Sequence, residues 1–279
     1  MQPQKTLDSS TVKRIVVGVV FGPLIVWIFW QGGYPLFALL ALLTLLGQWE
    51  FFRMLNGELG FFHHLTGYMA GLAIVADAVI RKSEQVPGIL VTALIIYFII
   101  EIITGKERKL RNVSLALLVT IYPAAFIVYL FQILLYPGVL FGTDNRFLLF
   151  YLVLVIWTFD TTSYFAGRFW GKHPFFPQIS PKKTMEGFWG GMAGVLVFGA
   201  ATALFTGYSL LQIMIVSVLA GFSGQAGDLS ESIIKRDVGI KDSSHIIPGH
   251  GGVLDRFDSL FFAAPVIYLY LLIYTAFWR

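Results

Sequence analysis

Between Ser232 and Asp258 the chain reads SIIKRDVGIKDSSHIIPGHGGVLDRFD, a polar run inside an otherwise apolar sequence. It holds four acids (Asp237, Asp242, Asp255, Asp258), four bases (Lys235, Arg236, Lys241, Arg256) and two histidines. A solvated loop between helices explains the charges. It does not explain the alternation of acid, base and glycine, or why the polarity runs on into the flanking helices. Successive glycines let backbone N–H groups converge on an anion, and a helix opening near Leu254 adds the positive end of its dipole. Gly251 and Gly252 are therefore candidates for close approach to a phosphate, with Lys235, Arg236, Lys241 and Arg256 as neutralising cations. Asp255 and Asp258 share one face of the first turn of that helix. They read as acids favoured by the helix dipole or as ligands of Mg²⁺, which takes one or two carboxylates plus substrate phosphates in preference to a closed protein cage. His250, in the Pro-Gly-His-Gly-Gly turn, fits a hydrogen-bonding loop residue better than a metal ligand.

Three further groups carry chemistry. Upstream, Gly221, Gly224 and Gly227 recur at three-residue spacing and precede Asp228, Glu231, Ser232 and Lys235. The glycines suit a helix-packing seam, while Asp228, Ser232 and Lys235 at i, i+4 and i+7 share one helical face. A carboxylate such as Asp228 just inside an apolar boundary needs a cation, either a metal or a basic side chain. Asp160 lies within an apolar segment, TFDTTSYFAGRFWGK, and is a functional candidate on the same ground. Ser180, Lys182, Lys183, Thr184 and Glu186 form a basic run (SPKKTMEG) that opens a helix, suited to holding phosphates or to touching anionic lipids. The chain lacks a Walker-type Gly-Lys-Ser/Thr run, a His-Glu-x-x-His pair and a Gly-x-Ser-x-Gly elbow. It has no cysteine, which excludes disulfides and thiolate chemistry. No nucleic-acid signature exists beyond general basicity.

The elements that must position these groups belong in a bilayer. Charged residues make up 13% of the 279 residues and hydrophobic ones 57%, with a mean hydropathy of +0.74. A soluble domain carries about 25% charge. Apolar segments long enough to span, or completed by amphipathic ends, fall at roughly 14–31, 34–52, 61–80, 86–103, 112–135, 147–167, 187–206, 209–235 and 257–277. The expected fold is all-α: a polytopic integral membrane protein of about nine transmembrane helices. With the N-terminus cytoplasmic, sixteen of the 20 Lys and Arg residues fall on the cytoplasmic side, a bias that sets orientation. The 232–258 stretch then faces the cytoplasm. Residues 1–111 read as a scaffold of helices and 112–146 as a middle helix with its connecting loop. Residues 147–279, where polar groups enter the spans, read as the catalytic region.

The run Ser232-Ile-Ile-Lys235-Arg236, Lys241-Asp242, Pro248-Gly-His250-Gly251-Gly252, Asp255-Arg256-Phe-Asp258 resembles the signature of phosphatidate cytidylyltransferases (CDP-diacylglycerol synthases). Asp160-Thr-Thr-Ser-Tyr164-Phe-Ala-Gly167-Arg168 and Ser180-Pro-Lys182-Lys183-Thr184-x-Glu186-Gly187 resemble two other stretches typical of that family. The resemblance implies an enzyme of the inner (cytoplasmic) membrane that joins CTP to phosphatidic acid, with Mg²⁺ and K⁺ as ions and a homodimer as the assembly. The expected roles are Asp228, Asp255 and Asp258 for the metal, with Asp160 as a further candidate. Lys235, Arg236, Lys241 and Arg256 would neutralise phosphates. Ser180, Lys182, Lys183, Thr184, Glu186, His250, Gly251 and Gly252 would hold substrate. Two alternatives share parts of this chemistry: a CTP-dependent kinase of a polyprenol-type lipid alcohol, and an ion-coupled transporter using Asp160 and Asp228.

Overall fold

The computed structural model describes residues 22–104, 107, 109–137, 145–247 and 251–277. Helix α1 (Gly22–Gln31) is followed by α2 (Gly33–Met54), α3 (Phe61–Ile80) and α4 (Val86–Thr104). Next come α5 (Lys109–Thr120), a five-residue π-helical segment (Ile121–Ala125) and α6 (Phe126–Leu135), which together form one apolar rod. The C-terminal part comprises α7 (Asn145–Trp170), strands β1 (Pro174–Phe176) and β2 (Ser180–Thr184), then α8 (Met185–Thr206), α9 (Leu210–Asp237) and α10 (Leu254–Phe277). The described part of each of the nine expected segments is helical to within a few residues. Among the described residues, seven helices are long and apolar enough to cross a membrane: α2, α4, the α5–α6 rod and α7 to α10.

Two features depart from plain helices. The π segment sits at Pro123, which has no N–H to donate and crowds the preceding turn, so the i→i−4 ladder cannot run through it. The hairpin β1–β2 is antiparallel, pairing Pro174 with Thr184 and Phe176 with Ser180. It lies between α7 and α8, where sequence reading expects only a loop. Pro174 is tolerated as the first strand residue, and Phe175 stacks on Phe188 of α8 with ring centroids 5.0 Å apart. The hairpin is thereby fixed to the helix that follows it. That helix opens at Thr184, whose hydroxyl accepts the Gly187 N–H at 3.1 Å, a side-chain N-cap. It ends at Gly207 in the left-handed region, at φ 73°.

Helix α9 is the spine of the C-terminal half, packed against α7, α8 and α10. Its glycines form the packing seam. A Cβ at Gly227 would lie 2.3 Å from the Asp258 carbonyl oxygen, so only glycine lets α9 approach the first turns of α10 so closely. The charged residues lie on one side of this contact, after Gly227 in α9 and up to Asp258 in α10.

Candidate active site

Lys235 stands at the centre of the site. It is buried on the last turn of α9, and its Nζ lies 2.6 Å from Asp255 Oδ1 and 3.2 Å from Glu231 Oε2. Lysine late in a helix is favoured by the dipole, and the i, i+4 spacing brings it beside Glu231. Asp255 takes four donors in all. Oδ1 accepts Lys235, and Oδ2 accepts the Ser243 N–H (3.0 Å), the Ser243 hydroxyl (2.9 Å) and the Gly252 N–H (2.8 Å). This carboxylate is saturated by the protein itself.

A second group lies closer to solvent. The Lys183 ammonium, carried on β2, donates to Asp228 Oδ2 on α9. Asp160 of α7 feels the charges of Asp228, Lys183 and Arg256, and both Asp160 and Arg256 are exposed. Deeper in, the carboxyl groups of Asp258 and Glu231 act on each other and on Asp228 and Lys235. Asp258 Oδ1 accepts the Ser259 N–H at 2.6 Å. Glu231 is wholly buried, yet neither of its oxygens takes a well-formed hydrogen bond. Five carboxylates (Asp160, Asp228, Glu231, Asp255, Asp258) thus share three cationic side chains (Lys183, Lys235, Arg256). Among the described residues no group of three acid or histidine side chains is placed to hold a metal ion.

The other candidates take different positions. Arg236 points both of its bonds at main-chain carbonyls, Nε to Ile179 (3.2 Å) and Nη1 to Ile240 (2.9 Å), and so ties the hairpin to the turn after α9. Glu186 accepts the Lys172 N–H at 3.0 Å and the His173 N–H at 3.2 Å, holding the turn between α7 and β1. Ser180 begins β2, Thr184 caps α8, and Lys182 and Lys241 are exposed. His250 lies outside the described residues.

Glu50 is a central residue that the motifs do not reveal. It is fully buried on α2 and receives four hydrogen bonds. Oε1 accepts the Ser244 hydroxyl (2.5 Å) and the Val253 N–H (2.8 Å). Oε2 accepts the Ser243 hydroxyl (3.1 Å) and the Leu254 N–H (2.8 Å). One acid of the N-terminal helices thus clamps the 243–254 loop and satisfies the first N–H groups of α10. The sequence signal was an acid inside an apolar span, LLGQWEFFRM, the same signal that marks Asp160.

The clamp also accounts for both glycines of the turn. Gly251 sits at φ 83°, and its missing Cβ would lie 2.6 Å from Asp255 Oδ2. At Gly252 a Cβ would meet Ser243 Oγ at 2.0 Å and the Glu50 oxygens at 2.5 and 2.6 Å. The Gly252 N–H already serves Asp255. Gly252→Ala is therefore expected to destabilise the protein by about 1–3 kcal/mol, the usual cost of overpacking. A lowered Tm of the detergent-solubilised variant is the reading, and an unchanged Tm would refute this account of the glycine.

Comparison with known proteins bears on these residues as a set. Residues 12–274 match the cytidylyltransferase family. The chain is 30% identical over 273 residues to a phosphatidate cytidylyltransferase of Staphylococcus haemolyticus, covering 95% of this chain and 99% of that one. It is 41% identical over 165 residues to a protein of the same name from Aquifex aeolicus, 59% of each chain. A third so named, from Bacillus subtilis, is 41% identical over 129 residues, 46% of this chain and 48% of its own.

Proposed function

The chain belongs to the cytidylyltransferase family, and we propose that it transfers the cytidylyl group of CTP to phosphatidic acid, leaving CDP-diacylglycerol in the membrane and releasing pyrophosphate. The observation that carries this reading is the cluster itself. Acids and cations from α7, β2, α9 and α10 meet at one end of long apolar helices, where a water-soluble nucleotide and a bilayer lipid can share a site.

A phosphate oxygen of phosphatidic acid attacks the α-phosphorus of CTP in line. A new P–O bond forms, the bond from the α-phosphorus to the bridging oxygen breaks, and pyrophosphate leaves with that electron pair. Such a transfer asks the protein for positioning and charge neutralisation more than for a covalent nucleophile. Lys183, half-buried against Asp228, and Arg256, exposed, are placed to receive phosphate oxygens. Lys182 and Lys241 add positive charge at the rim. Lys235, held between Asp255 and Glu231, keeps the base of the site in one arrangement.

Asp228 and Asp258, with Glu231 beside them, are the residues that would hold Mg²⁺. Asp255, with four donors already, serves as the anchor of Lys235 instead. Bound there, Mg²⁺ would neutralise triphosphate charge. K⁺ as a second ion, a homodimer and a site facing the cytoplasm from the inner membrane complete the reading; the basic residues crowding the loops of the catalytic end support the orientation.

The test uses purified protein in detergent with CTP labelled at the α-phosphorus, phosphatidic acid and Mg²⁺. Label is expected in the lipid phase with equimolar pyrophosphate, and Asp228→Asn should lower the rate about 100-fold, in line with removal of a group that stabilises transition-state charge. Labelled CDP formed only when a lipid alcohol replaces phosphatidic acid would overturn the reading in favour of a kinase.

A further inference from the structure

Tyr122 lies in the π-helical segment Ile121–Ala125, in a part of the chain that the proposed reaction leaves unused. It is 3% exposed. Its ring is held edge-on by Phe51 of α2, Phe126 of α6, and Phe261 and Phe262 of α10, with centroids 6.2, 6.0, 5.4 and 6.3 Å away. Four rings of three helices therefore fix where the phenol points. Among the described residues its hydroxyl has no hydrogen-bond partner. A buried hydroxyl left unpaired is costly, and few native structures keep one without use. Departures from the α-helical ladder of this kind also gather at functional sites.

Phe261 and Phe262 follow Asp258 by one turn of α10, and Gly227, next to Asp228, packs on Asp258, so the Tyr122 ring borders the α9–α10 crossing that carries Glu231, Asp258 and Asp228, whose charges act on its hydroxyl. These are the acids of the candidate metal centre, and both oxygens of Glu231 also lack a well-formed hydrogen bond. Among the described residues a donor and two acceptor oxygens beside one helix crossing are thus left without a well-formed hydrogen bond. An oxygen supplied from outside the chain would give the hydroxyl the acceptor it lacks.

We propose that the Tyr122 hydroxyl donates a hydrogen bond to a ligand oxygen bound at the Asp228, Glu231 and Asp258 cluster, either a substrate phosphate oxygen or a water carried by a divalent cation. The inference rests on the reading of this cluster as the metal–nucleotide centre. Tyr122 then belongs to the ligand-binding machinery, and the middle helix contributes directly to a site otherwise built from the C-terminal half. Its unfavourable state without ligand becomes part of the ligand's binding energy.

Tyr122→Phe removes one oxygen and keeps every ring contact. Full-length wild type and variant are compared in detergent by thermal unfolding without ligand, with Mg²⁺ alone, and with Mg²⁺ and CTP; kcat and KM are measured alongside. Without ligand the variant should melt at the wild-type temperature or above it, because no bond is lost. Its kcat/KM should fall about tenfold or more, the loss expected for a hydrogen bond to a charged acceptor. A smaller Tm rise with Mg²⁺ alone would identify the acceptor as cation-bound water. An intact Mg²⁺ rise with a smaller CTP-dependent rise would identify a phosphate oxygen. Wild-type ligand shifts and wild-type kinetics in the variant would overturn the proposal, as would a lower Tm without ligand. Wild-type protein that forms no labelled lipid would defeat the functional reading, while the ligand-shift comparison would still decide the role of Tyr122.

Discussion

Lys235→Met is expected to abolish label transfer and to lower unfolding stability by about 3–5 kcal/mol, the loss typical of breaking a buried ion pair from one side. The size follows from what the ammonium faces. Its two partners, Asp255 at 2.6 Å and Glu231 at 3.2 Å, are shielded from water, with side-chain exposures of 7% and 0%. Methionine fills the same volume but leaves two carboxylates without a cation. Stability and activity should then separate in the double variant. Adding Glu231→Gln removes one of the stranded charges and should recover part of the lost stability, because the cost lies in uncompensated charge. It should not recover turnover, which needs the cation and the carboxylate together. Unfolding curves and initial rates on both proteins make the comparison. A Lys235→Met protein as stable as wild type would show that the pair is not the buried unit described here.

What the sequence made visible, and what it did not, follows from the range of each interaction. Helical spacing places Asp228, Ser232 and Lys235 on one face of α9, and that is a property of one helix. Apolar length marks the spans, since a chain in hydrocarbon must satisfy its backbone within each helix. Partner choice is a different matter. Lys183 meets Asp228 across 45 positions, and Asp160 comes within reach of the charges of Asp228, Lys183 and Arg256, because α9 closes on α10 at Gly227 and the hairpin is pinned to α8 by Phe175. No local pattern specifies those contacts. The hairpin is not legible in the sequence because β1 is three residues long, opens on Pro174 and is followed by Pro177, too short to show alternation. The Gly-Gly turn was legible as a place of close approach. What approaches there is Asp255 and Glu50, side chains of the protein itself, and the partner 200 residues upstream was hidden by its place in a helix that reads as scaffold.

That partner should matter as much as any motif residue. Glu50→Ala is expected to lower turnover about 100-fold and to destabilise the protein by roughly 4 kcal/mol, since the Ser244 hydroxyl and two buried backbone N–H groups lose their acceptor at about 1–3 kcal/mol for each group left unsatisfied, while the Ser243 hydroxyl keeps Asp255. Relaxation of the loop and water entering the gap keep the total below the simple sum. Glu50→Gln makes a finer test. Each carboxylate oxygen accepts one serine hydroxyl and one backbone N–H. A hydroxyl can turn and accept from the new amide NH₂, but a backbone N–H cannot, so one donor of the Val253–Leu254 pair must be stranded whichever way the amide faces. About 1–3 kcal/mol is expected for that single group, with helical content by circular dichroism unchanged in both variants. Hydrogen exchange in peptides covering 243–254 should rise in step with the loss of turnover, because the same loop delivers Ser243 to Asp255 and sets the first turn of α10, where Arg256 begins. If Glu50→Ala kept wild-type stability and turnover, the N-terminal helices would be scaffold alone, and the order of the catalytic loop would have to come from its own residues.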